Sequence, residues 1–211
     1  MDVEGFRELL RDRANAAGLT LNPLLEERLS AFFQLLAHWN AKINLTSLQV
    51  DPPAAAAVDR LLIEPLAAAS SVDPNVSVWF DLGSGGGSPA VPLQLIRPAK
   101  RLIMVESRER KAAFLREVVR ILPLLGSEIQ VLRIEQVTGE KHNAGVADLV
   151  TVRAVRMDAV LFSQIQTLLR FRGQVILFGA NPSAEDLPRG LEVEDVWPAE
   201  HKFAVLRRTG L

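Results

Sequence analysis

The sequence predicts an α/β chain: a doubly wound sheet of seven strands, the last antiparallel, behind an N-terminal helical extension. Three observations carry this. From residue 76 onward, short apolar runs rich in β-branched residues alternate with helical stretches, the pattern of βαβ units and a parallel sheet. Before residue 70, apolar residues recur only at three- and four-residue steps. The final two runs have no helix between them, which appends an antiparallel hairpin to the sheet. The chain is 211 residues long, 48% hydrophobic and 23% charged, enough to bury a sizeable core without staples. It divides into an extension over residues 1–70 and a core over 71–211, joined as one compact unit.

Val3, Phe6, Leu9 and Leu10 share one helix face. Asn22-Pro23 fits an N-cap and first-turn proline, and Leu24, Leu25, Leu29, Phe32, Phe33, Leu36 and Trp39 continue that helix. Asn44-Leu45-Thr46-Ser47 breaks it. A third helix is expected over Ala54–Ala69, kinked at Pro65. The strands follow at Val76–Asp81, Arg101–Glu106, Ile129–Arg133, Ala147–Arg153, Gly173–Phe178, Leu191–Val196 and Phe203–Arg207. Helices are expected over Pro89–Ile96, Arg108–Leu122 and Met157–Leu169.

Composition removes several function classes. There is no Cys, which excludes a disulfide scaffold, Cys-ligated zinc, iron–sulfur clusters and any Cys nucleophile. There is no Tyr, which excludes Tyr-dependent hydride transfer. Lys plus Arg number 24 against 25 Asp plus Glu, a formal net charge of −1, so any nucleic-acid contact must be a local patch. The N-terminus carries acids early and lacks a signal-peptide pattern. Ala54–Ala69, the longest apolar stretch, is interrupted by Asp59, Arg60, Glu64 and Pro65. No membrane span is expected, and the expected location is the cytoplasm. His38, His142 and His201 form no metal-spaced pair, so no metal is expected.

The chemical signal is the strand–loop–helix around Asp81-Leu82-Gly83-Ser84-Gly85-Gly86-Gly87. Glycines let a backbone turn tightly and approach a ligand closely, and the following helix offers free amides. Glu106 ends the next strand, where an acid accepts hydrogen bonds from both hydroxyls of a ribose. Ser88-Pro89 follows the loop where a phosphate loop needs Lys-Ser/Thr, which argues against a nucleotide triphosphatase. Asp81 two residues before Gly83-x-Gly85-x-Gly87 gives acid-x-G-x-G-x-G, the usual first motif of S-adenosylmethionine-dependent methyltransferases. The plainer alternative is a tight turn without a ligand. Other strand ends carry Arg133-Ile134-Glu135 and Arg153. For Glu135 the alternative is a helix-start acid, and for Arg153 a salt bridge to a neighbouring acid.

Several strings then match a known family in order: His38-Trp39-Asn40-Ala41-Lys42-Ile43-Asn44-Leu45-Thr46-Ser47, Asp59, the loop through Ser88-Pro89-Ala90-Val91-Pro92-Leu93, Glu106-Ser107 with Lys111 and Phe114-Leu115, and Val152-Arg153-Ala154. Over about residues 30–180 the chain resembles the bacterial 16S rRNA guanine-N7 methyltransferase family, also called glucose-inhibited division protein B. The resemblance implies a Rossmann-like class I S-adenosylmethionine-dependent methyltransferase sheet. It implies methylation of N7 of guanine 527 in 16S rRNA, as naked RNA or within the small ribosomal subunit. By resemblance Gly83 and Ser88 line the cofactor, Ile134 and Glu135 lie against adenosine, and Arg153 belongs to the cofactor side. Asp81 and Glu106 match the flanking acids, and Asn44 and Asp59 match positions on the substrate side. The chain departs from the family pattern at Ala56, usually His, at Arg60, usually Ser, at Ser88 and Ala90, and at Glu106, usually Asp.

Guanine N7 has a free lone pair, so its methylation needs no general base, and Asn44, Asp59 and Arg153 are expected to position rather than to move protons. The RNA-contact candidates are Arg108, Arg110, Lys111 and Arg156, with a solvated helix face as the alternative. Trp39 is expected in the core rather than as a stacking platform. Asn44 reads as a helix cap or a pocket ligand. Asn181-Pro182-Ser183 lacks the aromatic of an amino-methylating motif and reads as a turn. Two rival functions remain: a small-molecule methyltransferase on the same fold, and a non-catalytic relative that binds cofactor and RNA. A monomer is expected.

Overall fold

The computed structural model describes residues 2–180, 182, 185, 187–196 and 203–210. Helix α1 spans Val3–Ala16, and the Asp2 side chain accepts the Gly5 N–H at 2.9 Å. Helix α2 spans Pro23–Asn40, with Asn22 Oδ1 accepting the Leu25 N–H at 2.8 Å and Pro23 in the first turn. These caps satisfy amides that a helix start leaves without partners. The apolar stripes then meet, and Phe6 stacks on Phe33 with ring centroids 4.6 Å apart.

The expected third helix is interrupted. Helix α3 (Ala55–Val58) runs into a π-helical segment, Asp59–Ile63, and then into α4, Glu64–Ala68. Pro65 lies in the first turn of α4, so the kink expected there takes the form of one wide turn just before the proline.

Seven strands follow: β1 (Val78–Leu82), β2 (Arg101–Val105), β3 (Ser127–Gln130), β4 (Ala147–Arg153), β5 (Leu169–Phe178), β6 (Leu191–Val196) and β7 (Phe203–Arg208). Between them lie α5 (Ala90–Ile96), α6 (Glu109–Ile121), α7 (Ile134–Gly139) and α8 (Ala159–Leu168). The sheet order is β3-β2-β1-β4-β5-β7-β6. Strands β1 to β5 are parallel, and β7 runs antiparallel to both its neighbours, as the closing hairpin required.

Alternation along the buried strands sorts side chains to two faces. Trp79, Leu102, Met104, Leu149 and Ile176 join one apolar cluster, which also holds Phe6, Leu10, Phe32 and Phe33 of the extension and Phe114 of α6. Phe80, Leu82, Ile103, Val150 and Val175 face the other cluster, under Val137 of α7 and Phe162 of α8. The extension therefore covers one face of the sheet and shares a core with it.

Boundaries differ from expectation where apolar content misleads. Strand β3 starts two residues early and ends before Val131, because Gly126, at φ +73°, turns the chain straight into it. At this edge no β3 position is fully buried, so hydrophobicity marks it weakly. Strand β5 begins at Leu169, four residues early, and carries a register shift opposite Ala147/Leu149. The short α7 carried no periodic signal. Asn181 and Ser183 of the expected turn, and His201, lie outside the described residues. Among the described residues no helix is long and apolar enough to cross a membrane.

A shared core predicts joint unfolding. Phe33→Ala, in the extension, is expected to cost about 3–5 kcal/mol. In a chain carrying Trp39→Phe and Trp197→Phe, so that Trp79 of β1 is the one emitter, the helical circular dichroism and the fluorescence are expected to shift together in denaturant. Two separated transitions would show that the extension folds independently.

Candidate cofactor cleft

Neighbours β2 and β4 lie on opposite sides of β1, so the connection after β1 and the later one that brings β3 to β4 run to opposite sides, which opens a crevice at the carboxyl end of β1. The glycine loop sits there. The amides of Gly83 and Ser84 both donate to the Val105 carbonyl at 2.9 Å, which hangs the loop on the end of β2. Gly83 has φ +76°, and a β-carbon on it would lie 3.0 Å from Val155 Cγ2. Glycine is thus required there both for its backbone angle and for space.

Glu106 follows β2 directly. Its Oε2 accepts the Gly85 N–H at 3.0 Å and its Oε1 accepts the Arg108 N–H at 2.8 Å. The carboxylate is 7% exposed and is held rigidly across the mouth of the loop. A cleft of about 610 Å³ opens above it.

Asp81 lies beneath the loop and is 1% exposed. Its Oδ1 accepts from Thr151 Oγ1, whose hydroxyl in turn accepts from Trp79 Nε1 at 2.8 Å. Its Oδ2 is buried without a hydrogen-bond partner. Burial raises the Asp81 carboxyl to a pKa of about 6, against the opposing pull of Ser84, Thr151 and Arg153.

Arg153 ends β4 and its side chain is only 8% exposed. Its Nη2 donates to Glu64 Oε2 at 3.0 Å, and its Nη1 donates to Ser88 Oγ at 3.0 Å and to the Arg60 carbonyl. The guanidinium lies 4.5 Å from the Phe178 ring centroid, a favourable cation–π distance. Its Nε is buried without a partner. Burial lowers its pKa to about 9, with Glu64 opposing that fall. The next residue, Ala154, has φ +56°, a strained angle for a residue with a β-carbon, and it too lines the cleft.

Among the expected site residues, Asn44, Gly83, Gly85, Ser88, Glu106, Arg108, Lys111 and Arg153 line this one cleft. Ile134 and Glu135 line a smaller adjoining hollow of about 240 Å³, which shares Gly83 and Glu106 with the cleft. Asp81 supports the loop from below. Gly87 turns away: a β-carbon on it would meet Val91, Phe32 and Leu115 at 3.1–3.4 Å, so it serves helix packing. Asp59 is not brought to the cleft. Both its oxygens take Arg13, from Nε and Nη2 at 2.7 Å each, a partner 46 residues away that no local pattern could show. Arg110 and Arg156 are exposed and lie outside the lining.

No helix starts beside Asn44 for it to cap: the loop after α2 is pinned by Asn40, whose Oδ1 accepts the Leu45 and Thr46 amides at 2.9 Å each. That leaves Asn44 exposed on the cleft wall. Trp39 packs on Phe114 and donates to Glu117 Oε2 at 3.0 Å. Sequence reasoning missed Arg60 as a lining residue and Glu64 as the partner of Arg153. Their signal was the charged interruption of an apolar helix just before Pro65.

The raised Asp81 pKa has a definite sign. The folded state holds the proton between pH 3.8 and about 6 while the unfolded chain has released it. Stability therefore falls as pH rises through that window, and the cost is fully present above it. Asp81→Asn is expected to raise apo-protein stability at pH 7, by on the order of 3 kcal/mol at most, and to flatten that fall. Denaturant titrations of both proteins at pH 4.5 and 7 check this; equal stability at pH 7 would contradict it.

Comparison with known proteins agrees with this geometry. The family model for rRNA small subunit methyltransferase G matches residues 25–203. A curated protein of that name from Roseiflexus sp. (strain RS-1) is 32% identical over 86% of this chain and 76% of its own length. Another, from Sorangium cellulosum, is 31% identical over 98% of this chain and 88% of its own. A methyltransferase structure from Geobacter sulfurreducens superposes with a TM-score of 0.61 at 13% identity, over 95% of this chain and 96% of its own. A mutant of MtNAS, solved in complex with S-adenosylmethionine, gives 0.54 at 14% identity over 99% of this chain and 75% of its own. With the fold of a class I methyltransferase and a family match over most of its length, the chain belongs to the rRNA small subunit methyltransferase G family, whose members depend on S-adenosylmethionine.

Proposed function

We propose that the chain transfers a methyl group from S-adenosylmethionine to N7 of guanine 527 in 16S rRNA, free or within the small ribosomal subunit. The observation that carries this is the joining of the glycine loop, Glu106 and Arg153 in one cleft that also receives Asn44 from the extension. The residues fit the cofactor. Glu106 presents a fixed carboxylate to ribose hydroxyls. The hollow beside Ile134 and Glu135 takes the adenine. The unpartnered donor of Arg153, which lines the cleft, complements the carboxylate of the methionyl end. When bound, the cofactor supplies an electrophilic methyl group on a sulfonium.

The chain's own residues then have to position the base. N7 needs no deprotonation, and no lining residue has to act as a base. Ser88 and Arg153 fix one wall, while Asn44 and Ala154 edge the opening. Holding reactants in line can contribute on the order of 7–11 kcal/mol. Arg108 and Lys111 line the same cleft and are placed to meet backbone phosphates, with Arg110 and Arg156 beyond it.

Mapping modified guanines in 16S rRNA from cells with and without the chain tests the assignment. A methyl group at N7 of guanine 527 is expected only with it, and an identical pattern would contradict the reading. Glu106→Ala is expected to weaken S-adenosylhomocysteine binding about 10- to 100-fold, since bonds to charged groups contribute about 1.5–3 kcal/mol; calorimetry reads this directly. Arg110→Ala and Arg156→Ala are each expected to reduce the log–log salt slope of RNA binding by about 1. An unchanged slope would place the RNA elsewhere.

A further inference from the structure

The π-helical turn bears on the cleft through what Pro65 lacks. The Glu64 N–H closes onto the Asp59 carbonyl, the last bond of the wide turn. Continued in that register, residue 65 would donate to the Arg60 carbonyl; in α register it would donate to the Leu61 carbonyl. Proline has no N–H. Each of those two carbonyls takes a side chain from the cleft instead. The Arg60 carbonyl accepts from Arg153 Nη1, and the Leu61 carbonyl accepts from Ser88 Oγ at 2.7 Å. The Ser88 hydroxyl also accepts from Arg153 Nη1 at 3.0 Å, and Glu64, one residue before the proline, holds Arg153 Nη2 at 3.0 Å. Glu64 is itself buried, at 6% exposure, and also receives Arg60 Nη1 at 3.0 Å on each oxygen. One turn of the extension thus grips the glycine loop at Ser88 and the end of β4 at Arg153.

We propose that Pro65 is a positioning residue for methyl transfer: the wide turn leaves one carbonyl over and Pro65 withholds the single N–H that the other would accept, which lets the extension clamp Ser88 and Arg153 and so sets the cofactor wall of the cleft. The inference rests on the cofactor reading of that cleft. It gives the extension a role in the site besides covering the sheet, exerted through backbone atoms rather than through a side chain that reaches the ligand. A packing role alone predicts something different, because alanine is the better helix residue and its smaller side chain leaves the clamp undisturbed unless the restored N–H competes for it.

The test uses the full-length chain with S-adenosylhomocysteine as probe, in calorimetry and thermal unfolding. Pro65→Ala restores the N–H. It is expected to weaken binding about tenfold, the scale of one to two hydrogen bonds, with an unfolding midpoint equal to or above wild type. A backbone ester at residue 65, made by incorporating lactic acid, lacks the N–H as proline does and is expected to bind like wild type. This second variant decides the matter even if Pro65→Ala does not fold. Wild-type affinity in Pro65→Ala, or an ester variant that binds as weakly as Pro65→Ala, would overturn the inference. A wild-type chain that binds no S-adenosylhomocysteine would overturn the cofactor reading itself and this inference with it.

Discussion

A guanidinium buried between a sheet and a helical layer must find its counter-charge and its acceptors where it lies, because removing an ion from water costs several kcal/mol. Arg153 is in that position, and its partners come from three different parts of the chain. Glu64 and the Arg60 carbonyl belong to the extension, Ser88 to the glycine loop, and Phe178 to the end of β5. Losing one partner of such a pair leaves a buried charge uncompensated, typically at 3–5 kcal/mol. The junction therefore couples the folding of the extension to the shape of the cleft. Its lowered pKa of about 9 still leaves the arginine charged near neutrality.

The same economy appears on the other side of the loop. Glu106 could bind a ligand only if it were held out of bulk water yet not neutralised by a cation, and two backbone amides achieve this. Asp81 carries the opposite burden: it is buried under the loop with one oxygen unpartnered and a pKa of about 6. Destabilised groups of this kind collect at functional sites, where a ligand can supply the missing partner. The formal charge of −1 is no obstacle to an RNA substrate on this arrangement, since Arg108 and Lys111 stand at the cleft itself.

Much of this was legible in the sequence because the relevant signals are local. The buried strands β1, β2 and β4 announce themselves as largely apolar runs, and their ends bring Glu106 and Arg153 to one crevice with Asp81 beneath its loop. The glycine spacing and Asn22-Pro23 are likewise short-range. What could not be read was long-range or belonged to the backbone. Nothing adjacent in sequence pairs Asp59 with Arg13, or Glu64 with Arg153. The edge strand β3 is only half-buried and so carries little hydrophobic contrast. Pro65 was visible as a helix breaker, but which carbonyl it frees, and which side chain claims it, depends on the register of the turn before it. Asn44 illustrates the same limit, since only the path of the loop, pinned by Asn40, leaves it on the cleft wall.

The central claim is that one cleft, walled by the glycine loop, Glu106 and the clamped Arg153, holds the methyl donor. The most direct measurement is a crystal structure of the chain with S-adenosylhomocysteine. The account predicts ribose hydroxyls on the Glu106 carboxylate, adenine in the hollow beside Ile134, and Ser88 and Arg153 still held by the Leu61 and Arg60 carbonyls. A ligand bound elsewhere, or a ribose turned away from Glu106, would contradict it.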